Sequence, residues 1–256
     1  MLKATFKAIG ALAIGMAMSA NAANLIETEN LVENGLFLDD NGSYAGNIST
    51  EPTGWQFAAG TQTTQFIDTT TLANHPFDKE GRYFYGGRSA FNSVTQSFDL
   101  TSLSEYNASF FRSGVVTIKL DAWMWSGATD DARARVLQKD AAGNYIGDVV
   151  NTGFTQINEP YRYTASGMLH EDAVSLHIFL DSDRDYGTAN NGYVFDPTMT
   201  LLIEDNEANR NLLNIDTSLS LQEAQNVAQA QFTNVPLVGA FGALMVFAGA
   251  TMRRKK

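Results

Sequence analysis

Between residues 30 and 203 no stretch of the chain keeps the apolar spacing of a long helix; short runs rich in β-branched and aromatic residues recur instead, broken by Gly, Asn, Asp and Ser. A chain patterned this way buries its apolar residues by laying one sheet on another, because each strand offers a single apolar face. The clearest run is 116–125, where Ile118, Leu120, Ala122 and Met124 share one face and Thr117, Lys119, Asp121, Trp123 and Trp125 the other. In 174–180 the same alternation turns Val174, Leu176, Ile178 and Leu180 inward and leaves His177 outside. Further strands are expected at 54–58, 62–68, 82–91, 94–100, 132–139, 145–150, 161–169 and 193–203. Asp140-Ala141-Ala142-Gly143-Asn144 has hairpin chemistry, since Gly and Asn tolerate positive φ. Strands separated by turn signals in this number predict an all-β fold, a two-sheet sandwich.

The expected sandwich, residues 23–205, lies between segments of different character. Residues 1–22 combine a basic start (Lys3, Lys7), an apolar run from Ala8 to Met18 and the small-x-small step Ala20-Asn21-Ala22. That is the pattern of a cleavable signal peptide, and the apolar run is shorter than the ~20 residues that span a bilayer. Residues 206–234 are polar and read as a linker, with a short helix expected in 218–231, where Leu221, Ala224 and Ala228 fall near one face. Residues 235–256 open with Val235-Pro236-Leu237, continue as a Gly- and Ala-rich apolar helical segment to Met252, and close with Arg253-Arg254-Lys255-Lys256. A basic cluster after an apolar segment holds that end in the cytoplasm and makes the tail a membrane anchor or a sorting signal.

Charge and cysteine content remove several function classes. Six of the 17 basic residues and none of the 28 acidic ones lie in the two terminal segments, so 11 basic residues face 28 acidic ones and the body carries −17. Such a surface repels nucleic acid and anionic lipid. There is no cysteine, hence no disulfide framework and no thiolate site. No Gly-x-Ser-x-Gly elbow is present, and His75, His170 and His177 are too dispersed for a zinc motif or a recognisable triad. Carboxylates are abundant, but glycoside hydrolysis requires two of them placed across a sugar, and abundance is not placement. The expected protein is not an enzyme.

Two clusters carry candidate chemistry. Trp123 and Trp125 stand near Asp130 and Asp131 in sequence, and aromatic rings beside carboxylates are what sugar recognition uses; Tyr186 adds a third ring. The same alternation of Trp123 and Trp125 is equally what packing against a loop or another sheet requires. Asp181, Asp183 and Asp185 alternate ahead of Gly187 and offer hard oxygen ligands suited to calcium, although the Gly and Glu positions of an EF-hand are filled by Tyr186 and Gly192. The plainer reading is a solvated loop in which Arg184 offsets part of the charge.

Two resemblances follow from these residues. The Val-Pro step, brief Gly/Ala-rich segment and basic terminus resemble the PEP-CTERM class of sorting signals, with Val235, Pro236, Arg253 and Arg254 as the matching positions. That resemblance implies an exosortase-like processing protease as partner, transient anchoring in the inner membrane, and export to the surface, outer membrane or matrix of a Gram-negative cell. Leu31-Val32-Glu33-Asn34-Gly35-Leu36-Phe37, Gly54-Trp55, Gln96-Ser97-Phe98-Asp99-Leu100, Leu120-Asp121-Ala122-Trp123, Asp140-Ala141-Ala142-Gly143-Asn144 and Asn191-Gly192-Tyr193-Val194-Phe195-Asp196 together resemble the galactose-binding-like jelly roll of carbohydrate-binding modules. It implies a jelly-roll body and, at Asn34 and Asp196, a structural calcium. The expected function is that of an exported, non-catalytic surface or matrix protein that binds polysaccharide or another matrix component. A self-associating coat or biofilm protein is the alternative, and a polysaccharide-active enzyme comes last.

Overall fold

The computed structural model describes residues 24–28, 30–38, 51–60, 65–68, 81–102, 111–127, 129–156 and 158–232. Eleven strands are found among them: β1 (Leu25–Glu27), β2 (Gln56–Ala59), β3 (Gln65–Asp68), β4 (Arg82–Gly87), β5 (Phe91–Asp99), β6 (Val116–Ser126), β7 (Asp131–Lys139), β8 (Tyr145–Asn151), β9 (Tyr161–Met168), β10 (Ser175–Asp183) and β11 (Asn190–Glu204). One sheet runs β3-β4-β11-β6-β9, with β1 paired to the far end of β11; the other runs β2-β5-β10-β7-β8. All neighbours are antiparallel, and the two sheets face each other as a jelly-roll sandwich. The expected fold class is the observed one.

The period-two reading holds where it was clearest, except at Val174, which precedes β10 and is half-buried outside the core. Ile118, Leu120, Ala122 and Met124 of β6 are buried against Leu176, Ile178 and Leu180 of β10, with Ala134 and Val136 of β7 and Val94 and Phe98 of β5 in the same core. A string of rings, Phe37–Trp55 at 5.2 Å, Phe37–Phe66 at 4.9 Å and Phe66–Phe84 at 6.1 Å, continues that core. The 140–144 turn closes as expected: Asp140 N–H donates to the Asn144 carbonyl at 3.0 Å, and Gly143 takes φ of 82°. The expected strand at 82–91 instead ends at Gly87, and the chain turns before β5 begins at Phe91.

β11 contains the main irregularity. Its pairing with β6 shifts between Phe195 and Thr198, where Asp196 adopts φ of 46° and Pro197 has no N–H to give the ladder. One extra residue reverses which side each later residue faces. Val194 is therefore inward before the bulge, and Met199, Leu201 and Ile203 are inward after it. Gly35 lies against the bulge so closely that a Cβ there would stand 2.7 Å from the Pro197 carbonyl oxygen.

The segment expected to be a free polar linker is part of the domain. Helix α1 (Glu207–Leu212) is capped by the Asn206 side chain, and α2 (Leu221–Phe232) follows it. Leu213, Ile215 and Ala224 are buried in the main core, and Arg210, itself buried, pairs with Asp205 and donates to the Leu219 carbonyl. Dispersed single apolar residues anchor this stretch, which is why it reads as polar in one dimension. No helix among the described residues is long and apolar enough to cross a membrane. The expected signal peptide and the 235–256 tail lie outside the described residues. If 206–227 belong to the cooperative unit, Leu213→Ala lowers unfolding free energy by about 3 kcal/mol in urea; a change under about 0.5 kcal/mol would mean the segment is detachable.

Candidate functional site

On the outer face of the first sheet, three strands bring six rings together. The register sets Trp125 of β6 opposite Tyr193 of β11, Tyr193 opposite Tyr85 of β4, and Trp123 opposite Phe195. Tyr193 stacks on Trp125 at 4.8 Å and 15° and on Tyr85 at 5.2 Å and 14°. Tyr83 meets both Trp125 and Tyr193 edge-on, at 5.2 and 5.3 Å. Trp125, Tyr83 and Phe195 are buried, whereas Trp123, Tyr85 and Tyr193 are half-buried. Such stacked and T-shaped pairs each add ~1 kcal/mol beyond burial, so the array is a rigid platform. Burial, then the charge of Asp130, pushes the Tyr85 phenol up; burial, then the neighbouring Tyr85 and Tyr83, does so at Tyr193. Both phenols therefore stay O–H donors.

A polar strip borders the platform on the same face. The Arg162 guanidinium lies 6.0 Å from the centre of the Trp123 ring and pairs with Asp196 at 3.3 Å. Farther along, Lys119 bridges Asp121 and Glu27, each at 3.3 Å, while Asp121 accepts from Thr164 and Glu27 from Thr200. Of the residues singled out from sequence, Trp123, Trp125 and Asp196 belong to this face. Tyr83, Tyr85, Tyr193 and Phe195 were missed, because partners on separate strands share no sequence spacing; the alternating Tyr83/Tyr85 and Tyr193/Phe195 pairs were the available signal.

The remaining predicted ligand-binding residues do other things. Asp130 is fully buried; one carboxylate oxygen accepts the N–H groups of Asp185 at 3.1 Å and Tyr186 at 3.5 Å, and the other accepts Asn191 N–H at 2.7 Å. It pins the loop after β10 and has no oxygen directed at a ligand. Tyr186, 84% exposed, stands on that loop and makes no ring contact with the stacked array. Asp131 opens β7 opposite Asp183. Burial, then the charges of Asp185, Asp183 and Asp130, pushes its carboxyl up to about 6.

Neither expected calcium site, Asn34 with Asp196 or Asp181 with Asp183 and Asp185, is assembled among the described residues. Asp181 lies within β10, not in a loop, and its buried carboxylate accepts from Ser93 Oγ at 2.6 Å, Arg133 at 2.7 Å and Arg135 at 2.9 Å. Asp183 ends the strand and Asp185 lies beyond it. Asn34, at φ of 51°, spends its side chain on the backbone of Leu38 and Thr53, closing its own turn. Asp196 is paired with Arg162. Among the described residues no three His, Cys, Asp or Glu side chains are grouped to hold a metal. Chelator and added calcium should accordingly each leave the melting temperature within about 1 °C; a larger rise with calcium would show a bound ion.

Neither a protein-family profile nor a curated protein matches the chain. Solved structures resemble it at low identity. The CBM22-1 xylan-binding domain from Paenibacillus barcinonensis aligns over 73% of this chain and 100% of its own, at 17% identity and a TM-score of 0.40. A Stig cyclase from Fischerella sp. TAU aligns over 70% of this chain and 100% of its own, at 11% identity and a TM-score of 0.46. The enzymatically active domain of a tailspike protein from bacteriophage CBA120 aligns over 57% of this chain, at 14% identity and a TM-score of 0.40, and the alignment spans 19% of the tailspike. Binding modules and enzymes both occur in this set, and likeness at this level assigns no ligand or reaction.

The raised Asp131 pKa has a definite sign. Folding disfavours the charged form, so the penalty is absent below the unfolded value near 3.8, grows as pH rises from there and is complete above about 6. Asp131→Asn should stabilise the protein by on the order of 1 kcal/mol at pH 8, discounted for the side chain's partial exposure, and by nothing at pH 3.5. Urea midpoints at the two pH values check this, and equal effects at both would contradict it.

Proposed function

We propose that this is an exported, non-catalytic surface or extracellular-matrix protein whose jelly-roll domain binds neutral polysaccharide on the outer face of the first sheet. The observation that carries the reading is the pair of half-buried rings Tyr85 and Trp123, braced by the Tyr193–Trp125 stack, with the paired strip of Arg162, Asp196, Asp121 and Thr164 along its border. Pyranose rings present C–H faces that stack on aromatic rings and a rim of hydroxyls that exchange hydrogen bonds with neighbouring polar groups. A rigid array loses little entropy on binding, so modest contacts yield usable affinity. The body charge of −17 favours neutral over anionic polymers.

Export rests on the basic start, apolar run and Ala20-Asn21-Ala22 step, and sorting rests on Val235, Pro236, Arg253 and Arg254, read by an exosortase-like protease. Intact mass of the mature protein tests both: loss of 22 residues at the start and of the terminal segment is expected, and a retained tail would make it an anchor.

Affinity electrophoresis of the full chain in gels containing soluble xylan, β-1,4-galactan or alginate tests the ligand class. Retardation by a neutral polymer and none by alginate is expected, with Trp123→Ala weakening retention tenfold or more while its melting temperature stays within a few degrees. Unchanged retention in a folded Trp123→Ala variant would remove the platform from the binding site.

A further inference from the structure

The opposite face of the sandwich carries a second recessed polar surface that the aromatic platform does not use. Where the β7–β8 hairpin meets the start of β10, two clefts of about 700 and 400 Å³ adjoin at Ala141 and Val174. Those are sizes that accept small ligands. His177 lines the smaller cleft on the outer side of β10, half-buried, with its Nδ1 at 2.7 Å from Ser97 Oγ and its Nε2 at 3.1 Å from Ser175 Oγ. Burial, then the Lys139 charge, pushes this imidazole down to about 4, so at neutral pH it has one N–H and one bare nitrogen. One serine therefore donates to the ring and the other accepts from it, which leaves an O–H and several lone pairs for a ligand.

Tyr145, 53% exposed, lines the larger cleft and offers a ring face. The ring is held in place by Lys139 Nζ at 4.5 Å from its centre and by His177 at 6.2 Å, edge to face. Asp99, Asp140 and Asp172 outnumber Arg112 among the charged lining residues, a balance that disfavours anions. Mixed donors and acceptors beside a fixed, exposed ring are suited to a hydroxyl-rich, uncharged ligand.

We propose that this paired cleft is a second binding groove for neutral glycan, and that the domain thereby grips two polysaccharide chains on opposite faces and cross-links them. The proposal rests on the carbohydrate reading of the first face. Sheets in a sandwich pack ~10 Å apart with filled cores, so one short glycan cannot reach both outer faces, and two occupied faces mean two chains.

Full-chain protein is titrated into soluble xylan and soluble β-1,4-galactan while turbidity is followed, and calorimetry with xylohexaose and galactotriose gives the stoichiometry. Two sites per chain and turbidity with the polymer are expected. Tyr145→Ala, at an exposed position that folding tolerates, should halve the stoichiometry and abolish turbidity, and Trp123→Ala should do the same through the other face. Ser97→Ala should weaken the residual site in the Trp123→Ala background tenfold or more. A single site lost entirely in Trp123→Ala and unchanged in Tyr145→Ala overturns the second groove and leaves the first reading intact. Absence of any neutral-glycan binding in the wild-type chain overturns both.

Discussion

The bulge at Asp196–Pro197 is the constraint on which the arrangement of the first sheet depends. β11 is paired along most of its length by β6 on one side, and on the other by β4 and then β1, so its register sets that of three strands. Before the bulge Tyr193 and Phe195 face outward and build the aromatic platform. After it Thr198, Thr200 and Leu202 occupy the outer side, and Met199, Leu201 and Ile203 fill the core. Without the extra residue, one half of β11 would present its apolar set to the wrong side. Asp196 sits at the turn of phase and holds Arg162, while the 34–37 turn covers Pro197, so the irregularity is fastened by contacts to two other elements.

The second sheet solves a different problem. Asp181 and Ser93 lie on an outer sheet face yet are fully or nearly fully buried, because Arg133 and Arg135 fold across them. The two guanidinium groups are themselves backed by rings, Arg133 over Phe154 at 4.0 Å and Arg135 over Phe179 at 5.0 Å. A buried carboxylate with two cations and a hydroxyl has its acceptor capacity filled, and removing one partner from such a set costs about 3–5 kcal/mol. Most of the charge in this region is thus internal to the fold. The uncompensated acidity gathers instead near Asp131, Asp183 and Asp185, where carboxylates repel one another at the sandwich end.

Each outer face therefore combines rings with hydrogen-bonding groups, but in different shapes. The first is a platform of rings packed against one another, fixed by strand register. The second is a cleft whose walls are a hairpin and the loops before β10, with the polar groups on β5 and β10.

What the sequence determined by itself is the class of fold and the identity of most strands, because alternation at period two is a local property that survives translation into structure. Ile118 to Met124 and Leu176 to Leu180 were legible for that reason, as was the 140–144 hairpin with its glycine. The docking of 206–227 was not, since Leu213, Ile215 and Ala224 are isolated in a polar stretch and acquire meaning only against the sandwich. Asp130, Asp181, Asn34 and Asp196 looked like ligand donors in the sequence, where a carboxylate waiting for a ligand and one already occupied are the same letter. Only the tertiary structure decided between them, by placing backbone N–H groups and guanidinium groups within 3.5 Å of those side chains. It likewise decided that Trp123 and Trp125 stand with Tyr85 and Tyr193, because hydrogen-bonded register brings residues 68 to 108 positions apart into stacking distance and no local pattern encodes that pairing.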